Sequence, residues 1–107
     1  MGYRSEVCLA LSEEADQLFQ INIKMIPALK DFVEGAENSS DRRYYWSGVK
    51  WYEGYEEVDS VNSFMNFLEE TDYDHYGFIR VGEEMNDVEE LGTPSQYDMF
   101  VSRSISW

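Results

Sequence analysis

The sequence predicts an α+β domain, a two-layer α/β sandwich with two helices on one face of a four-stranded sheet. Three observations predict it. Short stretches at 3–11, 43–52 and 97–107 alternate apolar and other residues with the period of a strand, and 75–81 is a fourth strand-like run. Two longer stretches repeat apolar residues at helical spacing. The order β-α-β-α-β-β then lets two helices bury their apolar stripes on one side of a sheet. A chain of 107 residues suits one domain, residues 1–107, and no repeat or linker divides it.

The first strand places Val7, Leu9 and Leu11 on one face and the small Cys8 and Ala10 on the other, as expected of a strand covered on both sides. Ser12 followed by Glu13 and Glu14 is an N-cap with acids where the helix dipole favours them. Ala15, Leu18 and Phe19 open the apolar stripe of that helix, and Met25, Ile26, Leu29, Phe32 and Val33 continue it to a stop at Gly35. Pro27 either kinks the helix near Ile23 or restarts it, because proline removes a ladder hydrogen bond.

Residues 43–52, RYYWSGVKWY, form the second strand, with Tyr45, Val49 and Trp51 on one face and Tyr44, Trp46 and Tyr52 on the other. Glu53 and Gly54 lead into a helix over 55–70 whose Val58, Val61, Phe64, Met65 and Leu68 share one side. Glu56, Asp59, Ser63, Asn66, Phe67 and Glu70 face away, which leaves an outward phenylalanine among carboxylates. The third strand is 75–81. EEMNDVEELGTP reads as an acidic connection, and 97–107 as a half-buried fourth strand with Tyr97, Met99, Val101, Arg103, Ile105 and Trp107 on one face.

The one cysteine, Cys8, excludes an internal disulfide and reads as a buried structural thiol, in keeping with a reducing cytoplasm. No basic-then-apolar leader opens the chain, Glu6 stands where a myristoylation signal needs Ser or Thr, and no apolar run approaches the roughly 18 residues that span a bilayer. Hydrophobic residues at 43% are too many for a disordered acidic tail, so the formal charge of -14 belongs to a folded surface. Residues 53–90 carry thirteen acids against Arg80 alone, a net of -12. Such a field attracts basic proteins and repels nucleic acid and anionic lipid, so direct nucleic-acid or membrane binding is not expected.

Residues 71–84, TDYDHYGFIRVGEE, place Asp72, Asp74, Gly77, Ile79 and Glu83 at calcium-loop spacing. Tyr76 supplies no carboxylate or amide at the fifth position, Arg80 puts a cation at the ninth, and Phe78, Ile79 and Val81 favour a strand. The stretch therefore reads as a turn feeding a strand, with its carboxylates as surface charge. His75 has no evident catalytic partner. Glu83, Glu84, Asp87, Glu89 and Glu90 lie in a connection rather than across a cleft, so they do not suggest glycosidase carboxylates. No nucleophile elbow or phosphate-binding loop is present, and neither an enzyme nor a cofactor is expected. The aromatics Tyr44, Tyr45, Trp46, Trp51, Tyr52 and Tyr55 read as core before they read as a sugar or ligand platform.

The blocks MGYRS at 1–5, VKWYEGYEEV at 49–58 and GFIRVGEE at 77–84 together resemble small acidic proteins encoded by tailed bacteriophages. The resemblance implies a phage or prophage source and a bacterial host cytoplasm, and brings no catalytic residues. It also favours the role small acidic phage proteins often play, that of inhibitors of host defence or transcription machinery, including anti-CRISPR and anti-restriction DNA mimics. The expected function is a non-enzymatic inhibitor that occupies the nucleic-acid site of a basic host protein. Glu56, Asp59, Glu69, Glu70, Asp72, Asp74, Glu83, Glu84, Asp87, Glu89 and Glu90 supply the field and Phe67 the anchor. The alternatives are an assembly module that forms a homodimer through the last strand, Ile105 and Trp107, or a calcium- or ligand-binding domain.

Overall fold

The computed structural model describes residues 3–71, 75–84, 86–101 and 105–106. Its elements run β1 (Ser5–Leu11), α1 (Glu13–Met25), α2 (Pro27–Glu34), β2 (Arg43–Val49), α3 (Glu56–Thr71), β3 (Tyr76–Val81), β4 (Val88–Gly92), a 3-10 turn (Pro94–Tyr97), and the short strands β5 (Phe100–Val101) and β6 (Ile105–Ser106). The fold is α+β, with an open sheet in the order β2-β1-β3-β4 whose neighbours are all antiparallel. Among the described residues, β5 and β6 form a separate two-stranded sheet.

β1 lies inside the sheet and is covered on both faces. On the helical side, Val7, Leu9 and Leu11 stand beside Arg80, Phe78 and Tyr76 of β3, and the main core gathers Phe19, Leu29, Val61, Phe64, Met65 and Leu68 from the three helices. On the other side, Cys8, Ala10 and Ile79 form a smaller core with Met99 and Ile105. Glu6 anchors that cover: it accepts a hydrogen bond from the Ile105 backbone N–H at 3.1 Å and another from the Tyr45 hydroxyl. Gly77 makes room for it, since a Cβ there would meet Pro94 Cα at 2.8 Å.

Helix starts follow local chemistry. Ser12 Oγ accepts from the Ala15 N–H at 3.1 Å and caps α1. Pro27 restarts the helix rather than kinking it: Ile26 is extended (φ -120, ψ 101) and Pro27 opens α2, where its missing N–H costs nothing. The Trp46 indole N–H donates to Phe32 O at 2.8 Å, and the two rings stack at 4.4 Å, fixing α2 on β2.

The structure differs from the sequence expectation in β2, in the acidic connection and over 97–107. β2 ends at Val49, and its register against β1 shifts between Ser5 and Val7, with Gly48 at φ +66. This bulge returns Val49 to the face of Trp46, and Trp51 also packs on that core rather than beside Tyr45. The acidic connection contains β4, in which Val88 and Glu90 are exposed and Glu89 and Leu91 half-buried, as suits a strand with a neighbour on one side only. Residues 97–107 are not one strand. The chain bends through the 3-10 turn and a left-handed Asp98 (φ 58) before β5, although Tyr97, Met99, Val101 and Ile105 do share the inward face. Ile105 is thereby buried in the smaller core and is not available as a dimer contact; Arg103 and Trp107 lie outside the described residues.

Candidate partner-binding surface

α3 supplies the centre of the candidate surface. Val58, Val61, Phe64, Met65 and Leu68 are all buried, as their spacing predicts, which turns Glu56, Asp59, Glu69 and Glu70 outward and leaves Phe67 48% exposed. Glu56, Glu57 and Asp59 sit in the first turn, where the helix dipole favours carboxylates, and Asp59 Oδ1 accepts from the Gly54 N–H at 3.0 Å. Glu69 and Glu70 sit near the opposite end, where the dipole opposes them, and no basic residue lies in that last turn. Each is disfavoured there by roughly 0.3–1 kcal/mol, so the helix dipole does not account for them. Burial, reinforced by the neighbouring Glu69 carboxylate, raises the pKa of the Tyr76 phenol.

The carboxylates around the β3–β4 turn are used differently. Arg80 binds Asp87 at 2.8 Å and Glu89 at 3.2 Å, on the helical side of the sheet. The Tyr3 hydroxyl donates to Asp87 at 2.6 Å, and the Arg4 backbone N–H donates to Glu83 at 2.5 Å. These contacts pin the N-terminal residues onto the turn. The Arg80 guanidinium first, and the Tyr3 hydroxyl second, hold the Asp87 carboxyl down at about 2. Asp87 and Glu89 are thus partly neutralised, whereas Glu84 and Glu90 stay exposed. Asp72 and Asp74 lie outside the described residues.

The two groups adjoin. A hollow lined by Glu53, Asp59, Asn62 and Asn66 continues into one lined by Glu53, Asn62, Arg80, Asp87 and Glu89. Carboxylates from the start of α3 and the end of the sheet therefore form one belt.

Sequence periodicity does not reveal what lies on the other flank of α3. α1 and α3 diverge to leave a groove of about 680 Å³, walled by Leu18, Ile21 and Phe67, with Phe64 and Ile26 deeper and Glu56 and Asp59 at the rim. The sequence expectation placed Leu18 and Met25 in the core stripe, yet they are 42% and 73% exposed, with Ile21 at 52%. Ala15, Phe19 and Ile23 form one ridge of α1, and Leu18, Ile21 and Met25 form a second that is left exposed.

The other candidate chemistries find no support in the geometry. Tyr76–Val81 is a strand hydrogen-bonded on both sides, so residues 77–81 do not wrap a cation as a calcium loop would. Among the described residues, no cluster of three His, Cys, Asp or Glu side chains suits a metal. His75 Nδ1 lies 2.9 Å from the Ser12 hydroxyl that caps α1, just before β3. Cys8 is fully buried, and burial pushes its thiol up to about 12. Tyr44, Trp46 and Trp51 pack in or against the main core, while Tyr55 is 42% exposed.

Among the described residues, no helix is long and apolar enough to cross a membrane. No protein-family model, curated protein or solved structure matches the chain.

Proposed function

We propose that the chain is a non-enzymatic, phage-encoded inhibitor that docks its acidic surface on a basic, nucleic-acid-handling protein in the cytoplasm of a bacterial host. The observation that carries this reading is the set of exposed carboxylates at the two ends of α3, Glu56 and Asp59 at one and Glu69 and Glu70 at the other, on a helix whose opposite side is locked in the core. From Glu56 to Glu70 the set spans about 21 Å at ~1.5 Å per residue, a length on which one DNA strand presents about six phosphates. Its carboxylates are sparser than that. They imitate the sign and direction of the phosphate array, and the adjoining belt from Glu53 to Glu89 extends the field, with Glu83, Glu84 and Glu90 around the β3–β4 turn. Carboxylates steer a basic partner into place, and a desolvated Phe67 then slows its release.

The test is capture from bacterial lysate at low salt, eluted once with a salt gradient and once with duplex DNA. The expected result is a basic protein released by moderate salt and by DNA, and not retained by a variant carrying E69Q, E70Q, E84Q and E90Q. Capture that resists both eluants, or that survives the four neutralisations, would overturn the reading.

A further inference from the structure

We propose that the groove between α1 and α3 receives one amphipathic, positively charged helix of the partner protein. This rests on the reading of the chain as an acidic protein-binding domain, and adds the structural element that is bound and the place that holds it.

The groove is too apolar to be an ordinary solvated face. Leu18, Ile21 and Phe67 are each roughly half exposed and project from two facing helices over a floor that includes the buried Phe64. Phe64 lies against Phe19, with ring centroids 5.1 Å apart, so the floor is part of the main core. Past Leu18 and Phe67 the groove runs on into a smaller hollow of about 180 Å³ beside Glu14 and Thr71. The trough thus follows two helices, the shape that accepts a third through anchors at i, i+3 or i+4, and i+7.

Charge selects the occupant. Glu56 and Asp59 border one end and Glu14 the other, and among the described residues no lysine or arginine lines either hollow. A second copy of a chain with a formal charge of -14 would bring acids against acids. Nucleic acid and anionic lipid surfaces are repelled for the same reason. A helix with leucine-like anchors on one face and lysine or arginine beside them satisfies both the apolar walls and the acidic rim.

The probe is a fluorescein-labelled synthetic peptide of about 18 Leu and Lys residues, patterned as an amphipathic helix, with a shuffled peptide of identical composition as control. Anisotropy at physiological salt should show the patterned peptide binding at least about tenfold more tightly, a difference of ~1.4 kcal/mol. Phe67→Ser, and separately Leu18→Ser with Ile21→Ser, should each remove most of that preference while circular dichroism shows the fold retained. Asp31→Asn with Glu34→Gln, exposed on α2 and lining neither hollow, should keep it. Equal binding of the two peptides, or a preference that survives both groove variants, refutes the groove as a helix site. A dimer seen by sedimentation without peptide, and lost in the groove variants, would assign the groove to self-association and also refutes it. None of these results depends on capture or on release by DNA, so failure here and failure of the inhibitor reading are distinguishable.

Discussion

Asp87 shows how a single carboxylate on a very acidic protein can be structural. Its pKa is held at about 2 by Arg80 and the Tyr3 hydroxyl, against an ordinary value of 3.8. A depressed folded-state pKa contributes stability that is complete above the unfolded value and is lost as pH falls through the folded one. Acid unfolding followed by tryptophan fluorescence should therefore steepen between pH 4 and 2, and Asp87→Asn should flatten that limb. An unchanged acid limb would dissociate Asp87 from folding. Gly82 belongs to the same assembly, because a side chain there would collide with Asp87 and the Tyr3 hydroxyl. Cys8 shows the opposite case, a reactive residue silenced by position. With Met99 Sδ 3.5 Å from its sulfur and its thiol pushed up to about 12, it should resist a thiol-specific chromogenic reagent until the chain unfolds. Rapid labelling of the native protein would contradict the packing of the Met99 segment over the sheet.

At the scale of elements, α1 is held by its cap and α3 by its buried face. Ser12→Ala removes the oxygen that accepts from Ala15 and the contact with His75, and should cost about 1 kcal/mol in a denaturant titration, within the usual 0.5–2 for such caps. In α3, Phe64 and Phe67 are three residues apart yet have different jobs. Phe64→Ala empties a site beside Phe19 in the main core, and should cost about 3–5 kcal/mol. Phe67→Ser should change stability by less than about 1 kcal/mol, because half of its surface already meets water. Similar losses at both positions would mean that Phe67 is a core residue and the groove is not free. The inward set of α3 was legible because the helical period leaves one answer for Val58, Val61, Phe64, Met65 and Leu68. β4 was not legible, since an edge strand needs only one bonded neighbour and carries no apolar alternation.

For the whole molecule, the formal charge of -14 is a standing strain on the compact state. Among the described residues of the acidic segment, Arg80 relieves it through Asp87 and Glu89. Raising sodium chloride from about 10 mM to about 0.5 M shortens the screening length from roughly 30 Å to a few ångströms, and should raise Tm by weakening self-repulsion. A Tm that falls with salt would show that the ion pairs outweigh the repulsion. The same screening should weaken partner binding, so stability and affinity are expected to move in opposite directions with salt.

The sequence by itself determined that this is an α+β domain, that β1 is covered on both faces, that Cys8 is buried and that Phe67 points outward from α3. Each follows from a short-range period or a local cap, which nearby residues can state alone. Only the tertiary structure decided that a bulge at Gly48 returns Val49 to the main core, that Asp87 and Glu89 are tied to Arg80, and that α1 and α3 diverge into a groove. Those outcomes depend on which distant segments meet, and the sheet order and the volume of the side chains between layers set that meeting, neither of which the spacing of residues along one segment contains.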